Sequence, residues 1–208
     1  MSTESSSKTE ITSSNIPEWA RRLAWLGPPP LFEGEDAAAY DERLARIARA
    51  LKPADIFEEI WARGIADLDW EVSRLRRLQA SLMTSAAYEG LQKVLEPLLE
   101  PYPQQVDLAR AWAARDKAAI KRVDELLASA GLTMDAVMAH TFCTYLNELE
   151  RIERMIASAE ARRDDALHEI ERHRAEWGQE LRRVAQEAEK TLEMEVIEDK
   201  SDKTRNAA

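Results

Sequence analysis

The chain has 208 residues, 45% of them hydrophobic and 33% charged, with only six glycines; that is enough apolar surface for one buried core and the usage of long solvated helices. Its 39 acidic against 29 basic residues leave a formal net charge of −10, which argues against a protein that coats nucleic acid or anionic membrane through a general positive field. The single cysteine, Cys143, excludes an internal disulfide framework and a multi-cysteine metal cluster, and fits a reducing compartment.

Residues 1–16 carry almost no apolar surface, so nothing offsets the entropy of ordering them and a disordered tail is expected. The charged start and apolar block of a secretory leader are missing there. Pro17 opens a short helix over 18–26, with Trp19, Leu23 and Leu26 at helical spacing. Gly27, Pro28, Pro29 and Pro30 stop it and impose an extended arm, which Leu31 and Phe32 anchor. Asp36 is the expected N-cap of a helix over 36–51, with Tyr40, Leu44, Ile47 and Leu51 inward and Arg43, Arg46 and Arg49 as a basic ridge. Lys52-Pro53 breaks it, because the residue before proline is pushed out of the α region. A second long helix follows over 54–95, with Phe57, Trp61, Leu68, Val72, Leu75, Leu82 and Ala86 as its apolar stripe; Gly64 on that stripe reads as a point of close helix approach. Pro97, Pro101 and Pro103 make a stiff corner. Two short helices follow, one over 104–115 with Val106, Leu108 and Trp112, the other from Asp116 to a stop at Gly131 with Ile120, Val123, Leu126 and Leu127 inward.

The rest of the chain is organised around its last stretch. Thr133 is the expected N-cap, and 133–192 contains no proline and one glycine, Gly178, so the pattern predicts one helix on the order of 90 Å long. Its seam runs Phe142, Tyr145, Leu149, Ile152, Ile156, Ala159, Arg163, Ala166, Ile170, His173, Trp177, alternating steps of three and four as in a coiled coil. A further step of four to Leu181 is a local insertion, after which Val184 and Ala188 resume. The large side chains of the first half are expected to pack within the domain, the second half to project or pair. The expected class is therefore all-α: a helical bundle body over 17–149, a coiled-coil-like helix projecting over 150–192, and disordered tails at 1–16 and 193–208.

Several constellations invite chemistry. His168, Glu169 and His173, with Asp165, have one-turn spacings that suit a metal, but a helical di-metal site needs a second copy and inward carboxylates from other helices. The neighbours are Arg162, Arg163, Arg172 and Arg174, so a solvated, charge-laced face is the simpler reading. His140 and Cys143 could pair as a thiolate nucleophile; the apolar neighbours Met134, Val137, Met138 and Phe142 favour a buried, inert thiol instead. Arg74, Arg76 and Arg77 are the densest basic cluster, and a nucleic-acid role requires them to converge on one face, whereas Asp67, Asp69 and Glu71 stand ready to neutralise them. Trp19, Trp25, Trp61, Trp70 and Trp112 read as core rather than a stacking platform. No Gly-rich phosphate loop, Ser-His-Asp order or metalloprotease helix motif is present. No enzyme is expected, and no catalytic, cofactor-binding or metal-ligating residue is assigned.

At GPPPLFEGEDAAAYDERLARI (27–47) and KPADIFEEIWARGIADLDWEVSRLRRLQ (52–79) the chain resembles a group of bacterial all-helical proteins sharing a GPPPLxxGED-AYD block and an EExWxRDxxDLxWExxRLRR helix. AGLTMDAVMAHT and ELERIERMIASAEARRDDALHEIERHR are similar too, so the resemblance covers roughly 27–174. It implies a helical fold and supplies no activity and no site residue; Gly64 stands where the group's pattern has an acidic residue. The function expected is a non-enzymatic scaffold or adaptor that self-associates or binds a partner helix through Ile152, Ile156, Ala159, Ala166, Ile170 and Trp177. The alternative is a nucleic-acid-associated accessory protein using Arg74, Arg76 and Arg77. No run of eighteen apolar residues occurs, so no membrane span is expected and the protein reads as cytoplasmic.

Overall fold

The computed structural model describes residues 18–99 and 104–205, with side chains as far as Thr191. The tail expected at 1–16 lies outside the described residues, as do 206–208. All regular structure among the described residues is helical: α1 (Glu18–Arg22) running into a 3-10 turn (Leu23–Leu26), α2 (Ala37–Leu51), α3 (Ile56–Leu95), α4 (Gln104–Ala113), α5 (Lys117–Ser129), α6 (Met134–Thr144) and α7 (Leu146–Arg205). The fold is all-α, a helical bundle with a very long C-terminal helix. No single helix is long and apolar enough to cross a membrane.

Side-chain caps set the starts. Asp36 accepts the N–H groups of Ala38 and Ala39 at 2.8 and 3.3 Å. Asp116 accepts that of Ala119 at 2.8 Å, and Thr133 that of Asp135 at 3.2 Å. Each satisfies first-turn donors that have no partner within the helix. Stops are made by left-handed residues: Gly131 after α5, but Lys52 (φ 49°) after α2 and Arg115 (φ 63°) after α4. A side chain in that region costs roughly 1–2 kcal/mol, so both lysine and arginine are held there by their surroundings.

Two expectations are corrected. The helix expected to start at Thr133 and run unbroken is two helices, parted at Tyr145 (φ −106°, ψ 20°). Thr141 and Thr144 turn their hydroxyls back onto the carbonyls of Val137 and His140, a competing bond that bends helices without any proline or glycine. In consequence Val137 and Thr141 are buried while Phe142 is exposed. The second correction concerns the C-terminal end, where α7 continues to Arg205 through residues expected to be tail. Among the described residues the chain forms two compact units, one within 67–162, the other of 18–66 together with 163–205, so both α3 and α7 contribute to each unit.

In the 67–162 unit, Leu91 and Leu95 of α3, Ala109 of α4, Val123 and Leu127 of α5 and Val137 of α6 form one buried cluster. Val72 and Leu75 of α3 form another with Ile156 and Ala159 of α7, flanked by Leu68 and Ile152. The close helix approach lies here too. A Cβ on Gly90 would stand 2.0 Å from Thr141 Oγ1 and 2.8 Å from the carbonyl of Val137, whereas one on Gly64 would meet nothing within 4 Å. The unit of residues 18–66 and 163–205 buries Leu23, Tyr40, Leu44, Ala48, Ala62, Ile65 and Ile170. Its interior is also charged. Glu59 is buried and pairs with Arg22, and Arg63 lies 5.8 Å above the ring of Tyr40.

Candidate functional site

At the start of α3 the sequence Asp55-Ile-Phe-Glu58 has the acid-x-x-Glu spacing of a capping box. Asp55 Oδ1 accepts the N–H groups of Phe57 and Glu58 at 2.9 and 3.0 Å, and Glu58 Oε2 reaches back to the N–H of Ala54 at 2.9 Å. The remaining capacity of both acids is taken up by α7. His173 Nε2 donates to Asp55 Oδ2 at 2.6 Å. Arg174 grips Glu58 with two bonds, Nε to Oε1 at 2.8 Å and Nη2 to Oε2 at 2.7 Å, and Nη2 also donates to the carbonyl of Leu51 at 2.7 Å. Edge-on rings complete the clamp: Trp61 and Phe57 lie with centroids 5.5 and 6.1 Å from that of His173. Two adjacent residues of α7 thus fasten it to the capped end of α3 by charge-assisted bonds, the strong kind.

The electrostatics follow the geometry. The bidentate bond from Arg174 holds the Glu58 carboxyl below its usual range against burial, helped by the N–H of Ala54. Burial pushes the Asp55 carboxyl up, but the N–H of Glu58 and the bond and charge of His173 outweigh it, leaving the group below its ordinary value. Because both folded-state values are depressed, the stabilisation is fully present above the unfolded carboxylate range near pH 4 and is lost as pH falls through the lowered values. Thermal unfolding followed from pH 7 to pH 2.5 is expected to show a steeper acid loss for the wild type than for Glu58→Gln, which has no charge to neutralise. Equal acid slopes would show that the clamp contributes nothing to the pH dependence.

Beyond the clamp, α7 presents an exposed apolar stripe. Trp177, Leu181 and Val184 are 55, 61 and 50% exposed, at steps of four and three. Ala188 continues the line, also exposed. At its base Trp177, Gly178 and Leu181 line a cleft of about 400 Å³ with Ala54, Asp55, Glu58, His173 and Arg174. Gly178 leaves one wall bare. An apolar stripe with a pocket at its root is the shape that receives an amphipathic helix bearing one large anchoring side chain.

The six residues expected to meet a partner differ in burial. Of the six seam residues, Ile156, Ala159 and Ile170 are buried within the chain's own units, and Ile152 and Ala166 are half-buried. Ile152, Ile156 and Ala159 belong to the cluster around Val72 and Leu75. Only Trp177 faces outward. The exposed apolar stripe therefore begins at Trp177.

The remaining constellations are placed as follows. His168 bonds the carbonyl of Asp164 at 2.8 Å, and Glu169 pairs with Arg172, so the helical metal motif is dispersed into local contacts. Asp55, Glu58 and His173 do bring ligand atoms within 4.8 Å of one another. Their lone pairs are spent, however, on Arg174, three backbone N–H groups and each other, and a cation would have to displace a guanidinium. Cys143 is exposed rather than buried, as is His140. The basic cluster is dispersed: Arg74 is buried, Arg76 pairs with Glu160 at 2.7 Å, and Arg77 lies 5.5 Å above the ring of Trp70. Of the tryptophans expected in the core, Trp70 is buried and Trp25 is fully outward at 67% exposure. Comparison of the chain with protein-family models, with curated proteins and with solved structures found no match.

Proposed function

We propose that the protein is a non-enzymatic helical adaptor whose distal C-terminal helix pairs with a second helix in a coiled-coil-like contact. The observation that carries this reading is the stripe of Trp177, Leu181 and Val184, more than half of whose surface is open on average, on a helix that runs to Arg205. Isolated exposed apolar residues need no explanation, but three in register with a cleft at their root bury area only when another helix arrives. Glu180 and Glu187 flank the stripe and are both bonded to Arg183, so the helix is braced along its own surface before any partner binds.

Self-pairing is the version tested with the chain alone. Sedimentation at micromolar concentrations is expected to show a concentration-dependent dimer or larger species. The double variant Leu181→Glu, Val184→Glu is expected to sediment as a monomer with unchanged helix content, since both positions are exposed. A wild type that stays monomeric throughout removes self-pairing and leaves a heterologous helix as the only occupant of the stripe.

A further inference from the structure

The 67–162 unit holds a second concave site, independent of the stripe on distal α7. A pocket of about 360 Å³ opens between α3, the end of α4 and α6, lined by Thr84, Ser85, Tyr88, Trp112, Arg115, Met134 and Met138 among others. Tyr88, Trp112 and Met134 pack against the buried cluster of Leu91, Val123 and Val137, so the floor of the pocket is the core of the unit. Two methionines beside two aromatic rings make an adaptable apolar wall. The volume lies within the range of roughly 300–1,000 Å³ typical of small-ligand sites.

One charge stands at its mouth. Arg115 follows α4 in the left-handed conformation, φ 63°, its N–H donating to the carbonyl of Trp112 at 2.9 Å. Glycine is the residue this position favours. The guanidinium is carried 6.0 Å above the Trp112 ring, at the pocket rim, and it has no acidic partner among the described residues. The hydroxyls of Thr84 and Ser85 donate to the carbonyls of Ala80 and Leu82 and so offer nothing to an anion. An apolar cavity with a single planar, bidentate cation at its edge is complementary to a molecule with an apolar body and one carboxylate. We propose that this pocket binds a small apolar monocarboxylic acid, aliphatic or aromatic, with its carboxylate on Arg115 and its body between Trp112, Tyr88 and the two methionines.

The probes are octanoate and its neutral counterpart octanol, titrated calorimetrically into the full chain. Octanoate is expected to bind the wild type and to lose about tenfold in affinity in Arg115→Gly, the loss of one charge-assisted pair; octanol is expected to bind both equally. Arg115→Gly relieves a left-handed side chain, so its melting temperature is expected to be equal or higher, which separates lost binding from lost folding. Ser85→Trp, at an exposed wall position, fills the pocket and is expected to abolish octanoate binding while leaving sedimentation unchanged. Octanoate binding that survives either substitution undiminished, or no octanoate binding to the wild type at millimolar concentration, overturns the proposal.

Discussion

Gly90→Ala is expected to destabilise the protein by about 2 kcal/mol, although alanine is the better helix former. The propensity gain in a helix interior is about 1 kcal/mol. Against it, the new methyl would arrive 2.0 Å from Thr141 Oγ1 and 2.8 Å from the carbonyl oxygen of Val137. Thr141 is buried, with its hydroxyl bonded to that same carbonyl at 2.8 Å, so the side chain cannot swing away without orphaning a buried polar group. The backbone oxygen can yield only if α3 and α6 separate, and overpacking of this kind costs about 1–3 kcal/mol or more. A domain of this size loses roughly 2–4 °C of melting temperature per kcal/mol. Thr141→Ala in the same chain is expected to recover part of the loss, because it removes one of the two clashes but not the other. Gly64→Ala is the control: with nothing within 4 Å it is expected to raise stability by up to about 1 kcal/mol. Equal midpoints in urea for Gly90→Ala and wild type would show that the two helices are not in close contact at this point.

Arg174→Ala is expected to cost about 3 kcal/mol, more than most exposed-residue substitutions. Arg174 is itself nearly half exposed, but Glu58 retains only 2% of its surface and keeps its charge because two guanidinium bonds reach it. Removing the arginine leaves a desolvated carboxylate with a single backbone donor, and breaking a buried pair from one side costs roughly 3–5 kcal/mol. The lower end applies because α7 can loosen and admit water. Arg174→Lys is expected to restore only part, since an ammonium cannot bond both oxygens and the Leu51 carbonyl in one plane. The double variant Glu58→Gln, Arg174→Ala is expected to be more stable than Arg174→Ala alone, because the uncompensated charge has gone. If the single and double variants unfold at the same urea concentration, Glu58 is solvated and the clamp is ornamental. The same series bears on the adaptor reading: a frayed clamp releases the root of the apolar stripe, so self-pairing is expected to weaken in Arg174→Ala along with stability.

Much of the local structure could be read directly. Asp36 and Asp116 cap the helices expected of them, and Thr133 caps a helix at the expected start though a much shorter one, because a cap is decided by a side chain and the two or three N–H groups next to it. Gly131 stops α5 for an equally local reason. The seam of α7 was legible as a stripe but not as a surface. Ile156 and Trp177 occupy equivalent positions in the same three-four repeat, yet one is buried and the other open, and nothing in a periodicity says where the covering helix ends. Register slipped in the same way at the start of α3, where Phe57 was expected inward and is exposed while Glu58 is buried. The capping-box spacing of Asp55 and Glu58 was the signal available there, but it could not name Arg174, which lies 116 residues away.

Composition, periodicity and cap chemistry by themselves determined that the chain is all-α, where most of its helices start and stop, and that its last helix is very long, since each of these depends on interactions within a few residues. Only the tertiary structure decided which of two similar glycines sits under a neighbouring helix, that Arg174 and His173 lock onto the capped end of α3, and that the open apolar face begins at Trp177. Those outcomes are set by which segments distant in sequence meet, and a one-residue shift of register inverts inside and outside without altering the pattern that a sequence displays.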